Sequence, residues 1–305
     1  MRDYDRLVAR PGRASLQYLY ADSIDHENHR LDDLPITPEN DHDSNDDAMQ
    51  RLIPRLMTPG LEFFDVFLRG RGGREEVPRV RWHLGNDGWS ESPSWPPPGA
   101  RVLRLFLAAA DRASAGAEGG VLASAPEAHL GRAVWVHDPA HLVPSAMGDP
   151  FSLLRGWPDE SDIEVRDDVL TFTSEASATP LDLAGPVTAE LALESTCASM
   201  HAHVKLLDVS PDGAARVLVR GQAHIDSAAY GVRATVDLGH TGYRVLPGHR
   251  LRLHIACSDF PLYLWHPGTS DDPWLAVTGQ ANEQALLTGG VDRSYISLTV
   301  VGGRE

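Results

Sequence analysis

The sequence predicts a mainly β protein: a jelly-roll β-sandwich over residues 75–305, preceded by a short α/β segment of one strand and two helices. Three observations carry this. From Val77 onward, short alternating or apolar runs are separated by Gly, Pro, Asp and Asn, the spacing of a sandwich. Apolar residues recur at helical spacing between Asp47 and Leu68. No period of about 20–50 residues repeats, which argues against a solenoid or propeller. A chain of 305 residues holds one large domain, or a modest domain with an appendage. The run Arg69-Gly70-Arg71-Gly72-Gly73-Arg74, rich in glycine and charge, marks the join between residues 1–70 and 75–305.

Leu16 to Ala21 reads as the first strand, followed by an acidic, histidine-bearing loop from Asp22 to Asp47 with scarcely any apolar residue. Ser44 or Asn45 supplies a helix cap, and Met49, Leu52, Ile53 and Leu56 recur at helical spacing from Asp47 to Met57. Pro54 and Pro59 are expected to split this region, leaving a second helix from Gly60 to Leu68 with Leu61, Phe64 and Leu68 on one face. The expected sandwich strands are Val80–Leu84, Val102–Leu107, Val169–Thr173, Val187–Leu193, Val204–Val209, Val217–Gly221, Ala234–Leu238, Leu251–Ala256 and Tyr295–Val301. Pro211-Asp212-Gly213 and Pro247-Gly248-His249 are tight-turn signals between them.

The net charge of −16 argues against a nucleic-acid partner, because such affinity comes from Lys and Arg neutralising phosphates. Lys205 is the chain's single lysine. No apolar run reaches the roughly 18–20 residues of a membrane span. The start Met1-Arg2-Asp3-Tyr4-Asp5-Arg6 lacks the apolar stretch of a secretory signal, so a cytoplasmic protein without membrane association is expected. Cys197 and Cys257 sit in apolar runs and are expected as buried free thiols.

Several dispersed blocks resemble one family. They are Phe63-Phe64-Asp65-Val66-Phe67-Leu68-Arg69-Gly70; Asn86-Asp87-Gly88-Trp89 with Trp95-Pro96; His137-Asp138-Pro139; Asp167 to Glu175 with Leu183-Ala184-Gly185-Pro186-Val187; Val204 to Val209 before Pro211-Asp212-Gly213; and Leu246 to Leu253 leading into Ser258-Asp259-Phe260-Pro261. In this order and spacing the chain resembles the CocE/NonD serine hydrolases, which include cocaine esterase and X-Pro dipeptidyl-peptidases, over roughly residues 60–301. The resemblance implies an α/β-hydrolase domain, a helical cap and a C-terminal jelly-roll sandwich, galactose-binding-like in type. Residues 1–70 would be the end of the first part and 75–305 the whole of the third. The chain departs from the family at Ser199-Met200-His201-Ala202, at Gln222 to Tyr230, and at Leu262 to His266.

The resemblance also singles out His26, just past the first strand, as the candidate general base of a Ser-His-Asp triad. No G-x-S-x-G nucleophile motif occurs in the sequence, and a base without a nucleophile forms no acyl-enzyme. The nucleophile and acid would come from a catalytic α/β-hydrolase domain in the same or a separate chain. The expected role is therefore the C-terminal part of an ester- or amide-hydrolysing enzyme, inactive in isolation. The alternative is a non-catalytic binding or assembly module, with homo-oligomerisation open. No cofactor is expected. The loop's Asp22, Asp25, His26, His29, Asp32, Asp33, Glu39, Asp41, His42 and Asp43 also admit a metal reading. They lack glycine-centred calcium spacing and H-E-x-x-H, so a solvated acidic face or lid is the stronger one. His201 and His203 share a strand face, as metal ligands or as part of a partly exposed face, and His249 after Pro-Gly reads as structural. Most tryptophans read as packing rather than as a ligand groove.

Overall fold

The computed structural model describes every residue except 25–27, 31–32, 34, 115, 147–157, 227, 291–292 and 303–305. The chain forms two compact units, Met1–Pro98 and Gly99–Glu305.

In the first unit, α1 (Arg2–Val8) leads through a 3₁₀ turn at Ala14–Leu16 to β1 (Leu19–Ala21). The 3₁₀ turn takes the first residue of the strand expected from Leu16. β1 pairs in parallel with β2 (Val80–Leu84), in the register Leu19 to Val80 and Ala21 to Trp82. Parallel neighbours need a crossover, and α2 (Asp46–Phe67) provides it. β2 then turns back antiparallel into β3 (Gly88–Ser92), so Val80–Leu84 lies in this three-stranded sheet rather than at the start of the sandwich.

α2 is one helix of 22 residues, not two. Asn45 caps it, accepting a hydrogen bond from the Ala48 N–H at 3.0 Å, and Asp46 and Asp47 complement the helix dipole in the first turn. A proline inside a helix orphans the carbonyl four residues earlier. Pro59 does this to Arg55, and the Tyr20 hydroxyl donates to that carbonyl at 3.3 Å. Pro54 does it to Gln50, which is exposed to water. The Pro59 break is thus met by Tyr20 and the Pro54 break falls at an exposed residue, and the expected split does not occur.

In the second unit, eleven strands share one hydrogen-bonded ladder. They are β4 (Arg101–Ala108), β5 (Gly120–Ala123), β6 (Gly131–His137), β7 (Leu170–Thr173), β8 (Leu181–Ser195), β9 (Ser199–Val209), β10 (Ala215–Asp226), β11 (Val232–Val245), β12 (Arg250–Ala256), β13 (Asn282–Thr288) and β14 (Tyr295–Val301). Their order is β10-β9-β12-β7-β5-β4-β14-β8-β13-β6, with β11 paired to β8. Patterning alone does not mark β5, β6 or β13. The ladder folds back on itself as a sandwich, bringing β10 against β11. At Gly221 a Cβ would stand 2.3 Å from the Asp237 carbonyl oxygen, so only glycine fits that approach. Leu183, Leu191, Leu193, Val204, Leu206, Leu253, Ile255, Leu286 and Leu298 form the core and are fully buried. Among the described residues no helix is long and apolar enough to cross a membrane.

Candidate functional site: a pinned loop and a buried ionisable face

His26 lies outside the described residues, but the loop on both sides of it is anchored. The buried Asp22 carboxylate, one residue past β1, accepts from Arg30 Nε at 3.3 Å and sits 3.5 Å from Arg55 Nε of α2. Arg55 also donates to the Asn28 carbonyl at 2.5 Å, and Asn28 takes a left-handed conformation, φ 65°, that its short polar side chain tolerates. Ile24 bridges to Arg30, and Ser23 Oγ meets His83 Nδ1 at 2.6 Å. The buried His29 and His42 rings stack with centroids 4.3 Å apart. The reading of a merely solvated acidic face therefore fails for Asp22, His29 and His42, which are packed. Among the described residues no three His, Cys, Asp or Glu are grouped to hold a metal ion.

The second unit concentrates titratable groups on one face of β9. Directly paired residues in antiparallel strands share a face. His201, His203 and Lys205 therefore stand beside His224, Gln222 and Arg220 of β10, and beside His254, opposite Lys205, on β12. Two segments cover them. Glu160 receives Lys205 Nζ at 2.9 and 3.0 Å, while Asp259 lies 2.9 Å from the same ammonium and 3.7 Å from Arg220. Glu164 accepts from His254 Nε2 at 2.9 Å and from Arg252 at 2.5 Å. Burial alone would raise the Glu164 carboxyl, but these two donors outweigh it and hold it below the usual range.

His201, His203 and His266 are held neutral. Burial, then the neighbouring His203 and His224, push His201 down to about 3. Burial and Lys205 do the same to His203, and burial with His201, His137 and His224 to His266. Hydrogen bonds assign their protons: the Gly268 N–H donates to His266 Nδ1 at 3.0 Å, so Nε2 donates to Ser199 Oγ at 3.1 Å. His201 Nδ1 accepts from the Gln222 amide at 3.0 Å, and His137 Nε2 donates to the His266 carbonyl at 2.8 Å. His201 and His203 are accordingly buried, not partly exposed. Neutral buried rings, hydrogen-bonded at His201 and His266 and without a partner at His203, and a lysine paired with two carboxylates are built for packing rather than for acid–base chemistry. They clamp residues 158–168 and 258–266 onto the sheet.

Sequence reasoning missed Lys205, Glu160, Glu164, Arg252 and Asp259 as one cluster. The available signal was a lone lysine two residues past a histidine inside an apolar run. His249, read as structural, donates through Nδ1 to Asp208 at 2.8 Å. Cys197 and Cys257 are free and buried, and burial pushes the Cys257 thiol up to about 12. Trp82, Trp95 and Trp135 are buried, whereas Trp274 is 80% exposed. Trp157 lies outside the described residues.

Residues 73–297 match the family described as the X-Pro dipeptidyl-peptidase C-terminal non-catalytic domain. The chain is 31% identical over 229 residues to cocaine esterase of Rhodococcus sp. (strain MB1 Bresler), covering 69% of this chain and 39% of that protein. Its fold is similar to an aminopeptidase from a marine sediment archaeon (Thaumarchaeota archaeon), with a TM-score of 0.78 and 21% identity over 98% of this chain and 52% of the other. An α-amino acid ester hydrolase gives a TM-score of 0.74 at 23% identity, over 97% and 52%. The chain thus spans about half the length of these structures and less of the esterase.

Proposed function

Because the chain belongs to the family of X-Pro dipeptidyl-peptidase C-terminal non-catalytic domains, the C-terminal domain of CocE/NonD-type hydrolases, we propose that it completes a cytoplasmic serine hydrolase acting on an ester or amide. In this reading the sandwich is the non-catalytic partner, and residues 1–70 contribute the last strand of the catalytic sheet, the crossover helix and the general base His26. The nucleophile and acid come from an α/β-hydrolase polypeptide, joined to this chain or separate from it.

One observation carries the reading. β1 is an edge strand whose second side has no strand partner among the described residues, and α2 beside it bares an apolar stripe. Met49, Ile53, Leu56, Met57, Leu61, Phe64 and Leu68 follow one another along the helix and are exposed, Leu68 to 76%. Parallel strands are ordinarily covered on both faces and continued at their edges, so this surface fits further strands and helices of a parallel sheet. The free buried thiols fit the cytoplasm.

The test is fluorophosphonate labelling of the chain alone and of the chain joined with the polypeptide encoded immediately upstream. The expected result is no label on the chain alone, where the bare stripe drives self-association, and label on the joined protein. Substitution His26→Ala then lowers its ester hydrolysis by about 10⁴-fold or more. Labelling of the isolated chain, or full activity of the His26→Ala protein, overturns the reading.

A further inference from the structure

At the end of the sandwich opposite the histidines, the second unit opens a cavity of about 340 Å³. Its walls are apolar, from Leu103 and Leu105 of β4, Leu122 of β5, Leu181 of β8 and Leu251 of β12, while Ser124, Glu175, Ser177 and His249 supply its polar groups. Small-molecule sites run from roughly 300 to 1,000 Å³, with mostly apolar walls and a few placed polar groups. A cavity of about 150 Å³ holds a benzene, so this one has room for a ring with a short substituent.

His249 is held for a purpose that packing does not require. Its Nδ1 donates to Asp208 Oδ2 at 2.8 Å, and the Tyr243 hydroxyl donates to the same oxygen at 2.8 Å. Asp208 and Tyr243 are buried, whereas His249 lines the cavity. An imidazole whose Nδ1 donates to a carboxylate carries its lone pair on Nε2. That nitrogen has no hydrogen-bond partner in the described structure, and neither has the buried Asp208 Oδ1. The chain thus fixes an acceptor at an apolar cavity. No lysine or arginine lines the cavity, while Glu175 adds negative charge.

We infer that this cleft is a binding site for a small molecule with an apolar ring and a hydroxyl or ammonium donor, His249 being the acceptor and the apolar strands the seat of the ring. An anion of the same size is excluded by Glu175 and by the carboxylate behind His249. The site lies within Gly99–Glu305 and stands or falls independently of the hydrolase reading.

The experiment is a titration of the full chain, uniformly labelled with ¹⁵N, against phenol, benzylamine and benzoate. The His249 ring signals, assigned with the His249→Gln variant, are expected to shift saturably with phenol and benzylamine and not with benzoate. Val121→Trp, which fills the cavity, is expected to abolish the shift. Ser124→Trp at the exposed rim does the same where Val121→Trp fails to fold. His249→Gln is expected to weaken phenol binding about tenfold, read from the Ser177 and Leu251 amide signals. Three outcomes overturn the inference: no saturable shift with any probe, benzoate binding as tightly as phenol, or binding unchanged in the filled variants.

Discussion

The two faces of β9 are buried alike and built from opposite materials. Met200, Ala202, Val204 and Leu206 turn to the sandwich core with Ile225, Leu253 and Ile255; His201, His203 and Lys205 turn the other way, beneath residues 158–168 and 258–266. Burial alone therefore does not choose the residue; the neighbour does. On the core face stabilisation is non-directional, about 25 cal/mol per Å² of apolar area removed from water, and any well-shaped neighbour supplies it. On the opposite face each charge is tolerated only where a specific counter-charge arrives. Lys205 fits Glu160 and Asp259, and Arg252 fits Glu164, to which the neutral His254 ring also donates. A buried ion pair is weak evidence for stability, so this face chiefly dictates which segment lies where.

Acid separates the faces most strongly. Above the ordinary histidine pKa, near 6.5, folded and unfolded chains both hold the rings neutral and no pH-dependent term arises from them. Below it the unfolded chain binds protons that the folded chain refuses until about pH 3 at His201, His203 and His266. Stability is thus full above pH 6.5 and falls as the pH drops from there towards 3. His203, buried to 3% exposure, alone contributes a slope of about 1.4 kcal/mol per pH unit. His201 and His266 steepen it. Urea midpoints from pH 7.5 to 4.5 check this. His203→Leu, which removes two buried ring nitrogens without partners, is expected to be as stable as the parent at pH 7.5 and to lose one proton's share of the slope. An unchanged slope would mean that His203 is protonated or wet in the folded chain.

Lys205→Met comes next. It strands Glu160 and Asp259 in a buried site and is expected to cost about 3–5 kcal/mol. Adding Glu160→Gln recovers part of the loss. The control on the other face, Leu206→Ala, costs about 2–5 kcal/mol, and no second substitution of similar polarity rescues it. Thermal melts of the parent and these variants sharpen the contrast: a pairwise rescue on one face and none on the other. Equal rescue on both faces, or none, breaks it.

How much of this was legible in the sequence follows from the same physics. The core face of β9 announces itself, since Val204 to Val209 is an apolar run and a run of that kind becomes a strand whatever it packs against. The ionic face does not, because Lys205 finds its partner 45 residues away in Glu160 and another in Asp259, and spacing along a strand says nothing about which distant segment returns. The first unit shows the same division. The cap at Asn45 was readable as a local pattern. The unbroken α2 was not, because the repair of the break at Pro59 comes from Tyr20, 35 residues from Arg55 in sequence. β5, β6 and β13 are less legible because β5 is only four residues long, β6 opens on Gly131 and Arg132, and β13 opens on Asn282, Glu283 and Gln284.

The smallest effect tests the one polar intrusion on the core face. Asp208 continues the row of Val204 and Leu206 towards the sandwich end, where Tyr243 and His249 both donate to its Oδ2. If the core face obeyed the rule of the ionic face, losing one donor would strand a buried carboxylate and cost several kcal/mol. Asp208 differs from Glu160 in holding a second donor on the same oxygen, one that itself borders an open cavity. Tyr243→Phe is therefore expected to cost only about 1 kcal/mol, the net worth of one hydrogen bond, in a urea titration at pH 7.5. A loss of 3 kcal/mol or more would place Asp208 with the ionic groups. The boundary between the two materials would then run by distance from solvent and no longer by face.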